Sequence, residues 1–206
     1  MKQLFLCSYF AGVKNLFRQY ASEKQLGKHV LFIPTAGNVE EYRGYIDEAL
    51  QTFADLGFQV EILDISACDR ETAQAKIFQS KLLYVSGGNT FYLLQELKKK
   101  QLLSLIKEQI ADGMVYVGES AGAIITTKDI DYNKLMDDKG VAAELHDTGA
   151  LNEVDFYVLP HVGEEPFVES AQATLDTYSD QLNLLPLNNR QAVLVEGEEV
   201  KVLEDK

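Results

Sequence analysis

The sequence predicts an α/β fold in which a mostly parallel sheet lies between two layers of helices. Short runs rich in β-branched and aromatic residues alternate with longer segments of helical periodicity, a pattern typical of strands joined by crossover helices. The chain has 206 residues, which fits a single domain spanning 1–206, and 46 % of them are apolar, enough for a full hydrophobic core. These observations together favour a three-layer architecture.

The first half of the chain carries the strands of the predicted sheet. Strands are predicted over residues 3–7, 29–34, 58–65, 82–86 and 114–117, with helical segments between them. Among these helices, the one over 39–56 has the clearest apolar stripe and ends at Gly57.

The second half is less regular. Patterning lapses over residues 128–153, a polar segment that we call the excursion and expect to be a long loop over the sheet edge. A strand over 155–159 and a helix over 165–182 follow, and then strands over 191–195 and 200–203 flank a Glu-Gly-Glu-Glu turn. That last pair predicts a C-terminal β-hairpin.

Charge and cysteine content exclude several classes of partner. A formal net charge of −13 argues against nucleic acid, since phosphate binding needs concentrated Lys and Arg, and the one basic run, 98–100, falls where a predicted helix ends. No segment approaches the ~20 apolar residues of a membrane-spanning helix. Cys7 and Cys68 lack the spacing of a disulfide framework and no secretory signal precedes them, so we expect a cytoplasmic protein.

The pattern Gly118-x-Ser120-x-Gly122 joins a predicted strand to a predicted helix. This is the sequence form of a nucleophile elbow, in which the turn is so tight that the residues two positions either side of the serine must be nearly free of side chain. The alternative is a strand that ends at glycine and a helix that begins at a serine cap.

A nucleophilic serine needs a base, and the chain has three histidines. His29 begins a strand and so falls at the opposite edge of the sheet from the elbow, while His146 lies in the polar excursion. His161 directly follows a predicted strand, at the carboxyl edge where sites of open α/β sheets collect, and is therefore the predicted base.

Two carboxylates are candidates to orient that histidine. Asp129 lies nine residues after Ser120 in Thr-Thr-Lys-Asp-Ile, and Glu196 ends the strand over 191–195. Spacing alone does not show which of the two orients His161. Each is also explained as an ordinary solvent-exposed residue of a loop or turn.

The oxyanion of acyl transfer needs preorganised N–H donors. Gly87 and Gly88 lie between a predicted strand and a predicted helix, one βα unit before the elbow. Paired glycines at such a turn leave backbone N–H groups accessible to a ligand. The natural donors are Gly88 and the residue after the nucleophile, Ala121.

These motifs resemble those of the S51 serine peptidases, which include aspartyl dipeptidase and cyanophycinase. The resemblance covers most of the chain. Its motifs are Gly-Gly-Asn-Thr at 87–90, Gly-x-Ser-Ala-Gly-Ala at 118–123, Thr-Thr-x-Asp at 126–129, Pro-His at 160–161 and Glu-Gly at 196–197.

The resemblance implies a flavodoxin-like fold similar to that of class I glutamine amidotransferases, with serine in place of their cysteine. It also implies peptide hydrolysis through an acyl-enzyme, with Ser120 as nucleophile and His161 as base. The family's aspartate corresponds to Asp129 and its glutamate to Glu196, so the third member of the triad stays open. Aspartyl dipeptidases carry tryptophan where this chain has Glu119, and an anionic side chain there argues against a preference for an acidic substrate.

The sequence therefore predicts a cytoplasmic serine peptidase for short peptides, monomeric or homodimeric. No metal or organic cofactor is implied, because the histidines have no ligand spacing. Two alternatives remain: an esterase or isopeptide hydrolase of related mechanism, disfavoured as an α/β-hydrolase by the missing His-Gly-Gly-Gly loop, and a catalytically silent binding protein of the same fold.

Overall fold

A computed structural model describes residues 1–205 and shows a seven-stranded sheet with a separate two-stranded sheet. The strands are β1 (Gln3–Cys7), β2 (His29–Ile33), β3 (Gln59–Ile62), β4 (Leu82–Val85), β5 (Val115–Glu119), β6 (Tyr157–Leu159), β7 (Leu184–Pro186), β8 (Gln191–Glu196) and β9 (Glu199–Glu204). The helices are α1 (Lys14–Glu23), α2 (Gly44–Asp55), α3 (Arg70–Gln79), α4 (Thr90–Lys99), α5 (Leu103–Ala111), α6 (Ala121–Ile124) and α7 (Val168–Tyr178).

The large sheet has the order β3-β2-β4-β5-β1-β8-β9. Strands β1 to β5 pair in parallel, whereas β8 runs antiparallel to β1 and β9 antiparallel to β8. The predicted α/β class and C-terminal hairpin are confirmed. Within residues 1–205, no helix has the length and apolar character needed to cross a bilayer.

Several element boundaries differ from the predictions. Helix α2 begins at Gly44 and not near residue 39, since residues Thr35–Val39 form a separate 3-10 turn. Strand β6 pairs in parallel with β7, a three-residue strand that the sequence pattern did not indicate. The two form their own small sheet beside the main one.

The sheet separates two hydrophobic layers, as expected for strands buried on both faces. Alternate residues of β1 show this: Leu4 and Leu6 pack into an aliphatic layer, and Phe5 and Cys7 into the other layer. That second layer is rich in aromatic rings, including Phe10, Phe17, Phe32, Phe53 and Tyr84.

Strand register determines what meets at the carboxyl edge. Because Val85 of β4 pairs with Gly118 of β5, the Gly-Gly turn that follows β4 lies beside the elbow that follows β5. Cys7, at the end of β1, pairs with Glu119 and brings the β1–α1 loop to the same place. Three loops therefore surround Ser120.

The excursion docks against the start of α4. Asn89 donates through Nδ2 to the Asp138 carbonyl at 3.0 Å, and the Asp137 carboxylate accepts from the Thr90 N–H at 2.7 Å. Two 3-10 turns, Asp131–Leu135 and Lys139–Val141, give this segment its local structure. It is thus fixed to the residues that follow the Gly-Gly turn.

Candidate active site

Ser120 adopts a strained backbone conformation. Its φ is 46° and its ψ −107°, a region that a residue with a side chain rarely occupies and that is concentrated at functional sites. Hydrogen bonds hold it there: its N–H donates to the Cys7 carbonyl at 2.9 Å, and its carbonyl accepts from Ala123 and Ile124, each at 2.9 Å. The strand-to-helix turn is therefore an elbow that presents the serine hydroxyl.

The glycines of the elbow are required by close backbone contacts. A Cβ at Gly118 would lie 2.4 Å from the Gly122 carbonyl oxygen, and a Cβ at Gly122 would lie 2.1 Å from the Val85 carbonyl oxygen. Both distances are far below contact, so the elbow folds against β4 only when these positions carry no side chain.

We expect Gly122→Ala to lower the free energy of unfolding by about 3 kcal/mol or more, the upper end of the range for overpacking, since the clash is with strand backbone. Denaturation in urea would measure it. Gly27→Ala is the matched control, because nothing lies within 4 Å of a Cβ there. Equal stability of the two variants would contradict this account of the elbow.

His161 contacts Ser120 directly. Its Nε2 lies 3.0 Å from Ser120 Oγ, its backbone N–H donates to Ser8 Oγ at 3.1 Å, and its ring stacks on Phe167 at 4.6 Å between centroids. Burial lowers the pKa of His161, and this shift is partly offset by the hydrogen bond that the ring donates to Asn189 and by the charge of Glu164. The ring is therefore neutral around pH 7 and able to accept a proton.

The other ring nitrogen faces an amide that the sequence analysis missed. His161 Nδ1 lies 2.8 Å from Oδ1 of Asn189, an atom that only accepts, so Nδ1 carries the proton and Nε2 is left free to accept one from Ser120. Asn189 lies in the loop between β7 and β8, and its own N–H donates to Glu164 Oε1 at 3.3 Å. The structure thus aligns serine, histidine and asparagine.

Neither predicted carboxylate contacts His161. Asp129 accepts from the Asp131 N–H at 2.8 Å and from Thr148 Oγ1 at 3.2 Å, so it holds the excursion together. Glu196 pairs with Gln3 and forms an ion pair with Lys24 at 2.7 Å. Because β8 runs antiparallel to β1, its last residue lies at the amino edge of the sheet, opposite the elbow.

The Gly-Gly turn lies against the serine. A Cβ at Gly87 would be 3.3 Å from Ser120 Cβ, and Gly88, at φ 125°, packs so closely on Ala36 that a Cβ would lie 2.4 Å from its carbonyl. Within residues 1–205, the N–H groups of Gly88 and Ala121 have no protein acceptor. Both are thus free to donate to a ligand at the elbow.

The remaining candidates lie elsewhere. His29 is exposed at the start of β2 and His146 is exposed in the excursion. Glu119 is only 2 % exposed, and its carboxylate contacts Tyr84 of the aromatic layer. In the part of the chain that the structure describes, no group of three His, Cys, Asp or Glu side chains is placed to hold a metal ion.

Comparisons with known proteins agree on one family. The model of peptidase family S51 matches residues 6–203. An uncharacterized peptidase of Pasteurella multocida is 48 % identical over 96 % of this chain and 95 % of its own, and the "Probable alpha-aspartyl dipeptidase" of Drosophila melanogaster is 32 % identical over 87 % of this chain and 74 % of its own. A crystal structure from Listeria monocytogenes EGD-e, provisionally assigned to peptidase E, superposes with a TM-score of 0.95 at 41 % identity and full coverage of both chains.

Proposed function

This chain belongs to peptidase family S51 and is a serine-type peptidase, and we propose that it hydrolyses short peptides through an acyl-enzyme formed on Ser120. The single observation that carries the mechanism is the 3.0 Å contact between His161 Nε2 and the hydroxyl of a serine on a strained elbow. A base at hydrogen-bond distance converts a weak hydroxyl nucleophile into an effective one.

In the acylation step His161 Nε2 takes the Ser120 proton while Oγ attacks the scissile carbonyl. The N–H groups of Gly88 and Ala121 hold the developing oxyanion. The protonated ring then donates its proton to the leaving amine as the peptide C–N bond breaks. In deacylation water attacks the ester carbonyl while His161 Nε2 takes the water proton. The ring then returns a proton to Ser120 Oγ as the ester C–O bond breaks, and the acid product leaves with the free enzyme restored.

Asn189 orients the base in this scheme. By accepting a hydrogen bond from Nδ1–H it fixes the ring position and the tautomer in which Nε2 is a base. An amide carries no charge, so unlike a carboxylate it does not stabilise the imidazolium by attraction between full charges. Cys-His-Asn sites in other folds use the same substitution.

Two observations support a small substrate. A relative of this chain is named a dipeptidase, and the excursion is fixed beside the Gly-Gly turn that lies against Ser120. We also propose that the peptidase works in the reducing cytoplasm, in keeping with its two free cysteines, Cys7 and Cys68.

The test is hydrolysis of a mixed library of di- and tripeptides, read by mass spectrometry, with the wild type and Ser120→Ala side by side. We expect the wild type to consume a subset of the peptides and the variant to consume none. That subset also defines the preferred side chains. Absence of cleavage by the wild type, or equal cleavage by both, would overturn the proposal.

A further inference from the structure

Glu119 is a buried carboxylate without a counter-ion. It immediately precedes Ser120, and within residues 1–205 no Lys, Arg or His pairs with it. Burying an unpaired carboxylate costs several kcal/mol, and such groups are concentrated at functional sites. Packing alone does not account for an acid among aromatic rings.

The donors to this carboxylate come from three segments that surround the nucleophile. Oε1 accepts from the Phe10 N–H at 2.7 Å, in the loop after β1. Oε2 accepts from the Tyr84 hydroxyl on β4 and from the Gly87 N–H, the latter in a long contact of 3.5 Å. Catalytic hydrogen bonds of unliganded enzymes are often long and tighten in the complex.

We propose that Glu119 is a positioning residue that, in its ionised form, holds the Gly87–Gly88 turn against Ser120 and so keeps the Gly88 N–H aimed at the oxyanion. The inference rests on the proposed acyl-enzyme mechanism and goes beyond it, since Glu119 does not touch the substrate. Glu119 precedes Ser120 in the chain, and its side chain contacts Gly87, the neighbour of the proposed oxyanion donor Gly88.

The ionised form is required because all three partners donate. A carboxylate accepts from all of them, whereas a carboxylic acid must place its own O–H somewhere, and of the three only the Tyr84 hydroxyl is able to accept it. Protonation of Oε2 therefore weakens the acceptor of the Gly87 N–H and loosens the turn at that point.

This protonation of Glu119 takes place near neutral pH. Burial raises the pKa of Glu119 to about 7, although its hydrogen bonds with Phe10, Tyr84 and Gly87 lower it. The carboxylate is thus ionised above pH 7 and protonated below it, so the turn is held at the alkaline side and released as pH falls through about 7.

Other groups around Glu119 do not change charge there. Burial raises the pKa of each neighbouring thiol and phenol above its ordinary value, which keeps them neutral; these are Cys7 on β1, Tyr9 in the following loop, Tyr45 on α2 and Tyr84 on β4. Repulsion by Glu48, also on α2, contributes to the raised pKa of Glu119. His161 lies at Ser120, and since its pKa is lowered from 6.5 its ionisation falls below that of Glu119.

The experiment measures kcat and KM from pH 5 to 9 for the wild type, Glu119→Gln, Tyr84→Phe and Ser120→Ala, on a peptide that the wild type cleaves. We expect the wild-type kcat to decline below about pH 7 in a step separate from that of His161. Glu119→Gln should lower kcat at pH 8 by roughly 10- to 100-fold, less than the loss of a whole oxyanion donor, change KM little, and lack the step near pH 7.

Tyr84→Phe tests the inference even if Glu119→Gln does not fold. Loss of one donor destabilises the carboxylate, so the upper step should move to higher pH, a shift that a merely structural role for Glu119 does not produce. A step that stays near pH 7 in both variants would overturn the positioning role while leaving Ser120 chemistry intact. Wild-type cleavage that survives in Ser120→Ala would instead overturn the mechanism on which the inference rests.

Discussion

Ser120→Ala is expected to lower kcat by about six orders of magnitude, the scale on which removal of a serine nucleophile acts elsewhere. The Ser120 hydroxyl is the only nucleophile in our scheme and the only one that contacts His161 Nε2 within residues 1–205. Residual turnover would come from the Gly88 and Ala121 amides acting on attack by water. Hydrolysis of a library-selected peptide, followed over hours, measures the loss.

The control for this variant is Ser22→Ala, which removes a hydroxyl from the exposed surface of α1 and should leave kcat unchanged. A fluorophosphonate probe gives a second measurement, since it labels an activated serine without a peptide substrate. We expect one label per wild-type chain, at Ser120, and none in Ser120→Ala. Turnover by Ser120→Ala above a thousandth of the wild-type rate would contradict a serine nucleophile.

The elbow was predictable because its steric requirement is written in adjacent residues. Gly118 and Gly122 are needed by contacts within five residues and with the neighbouring strand, so the local pattern is enough to reveal them. The position of Gly88 followed in the same way, since consecutive βα units of a parallel sheet place their turns at one edge. Features that depend on neighbouring residues or on the regular repeat of βα units can thus be predicted from the sequence.

The third member of the site was not predictable by that route. Asn189 meets His161 because β6 and β7 pair and continue beyond their ends, with Leu187 donating to Leu159 and Val162 donating to Leu187. A strand was predicted where β6 lies, but β7 has only three residues, too few for a periodic signal.

Strand direction explains why Glu196 lies far from His161. A residue at the end of a parallel strand would lie at the carboxyl edge beside Ser120, and the sequence pattern does not give the direction of β8. Its pairing with β1 is antiparallel, so Glu196 lies beside Gln3 at the other edge. Asp129 has other partners, because its two carboxylate oxygens accept hydrogen bonds within the excursion.

Asn189→Ala is expected to lower kcat by about a hundredfold to ten-thousandfold, whereas Asp129→Ala and Glu196→Ala should each change it by no more than a few fold. The upper figure is the loss that follows removal of a triad carboxylate, and a neutral amide contributes less. Without Asn189 the ring loses the acceptor that fixes its tautomer and orientation. The three variants, compared at pH 8 on one peptide, rank the candidates directly, and a large loss in Asp129→Ala or Glu196→Ala with little in Asn189→Ala would contradict the structure-based assignment.

Asn189→Asp separates orientation from charge. A carboxylate at the same distance from Nδ1 would still accept a hydrogen bond from Nδ1–H. Its negative charge would also favour the imidazolium, so the pKa of His161 should rise above its lowered wild-type value. Because only the neutral ring accepts the Ser120 proton, activity should then be lost at higher pH than in the wild type as the solution is acidified. A proton NMR titration of the three histidine rings would follow His161 itself. If Asn189→Asp changed neither the pKa of His161 nor the acid limb of kcat, Asn189 would not be the partner of the base. An upward shift of both together with retained turnover would show that the site works with either an amide or a carboxylate. The amide would then set the pH below which activity is lost.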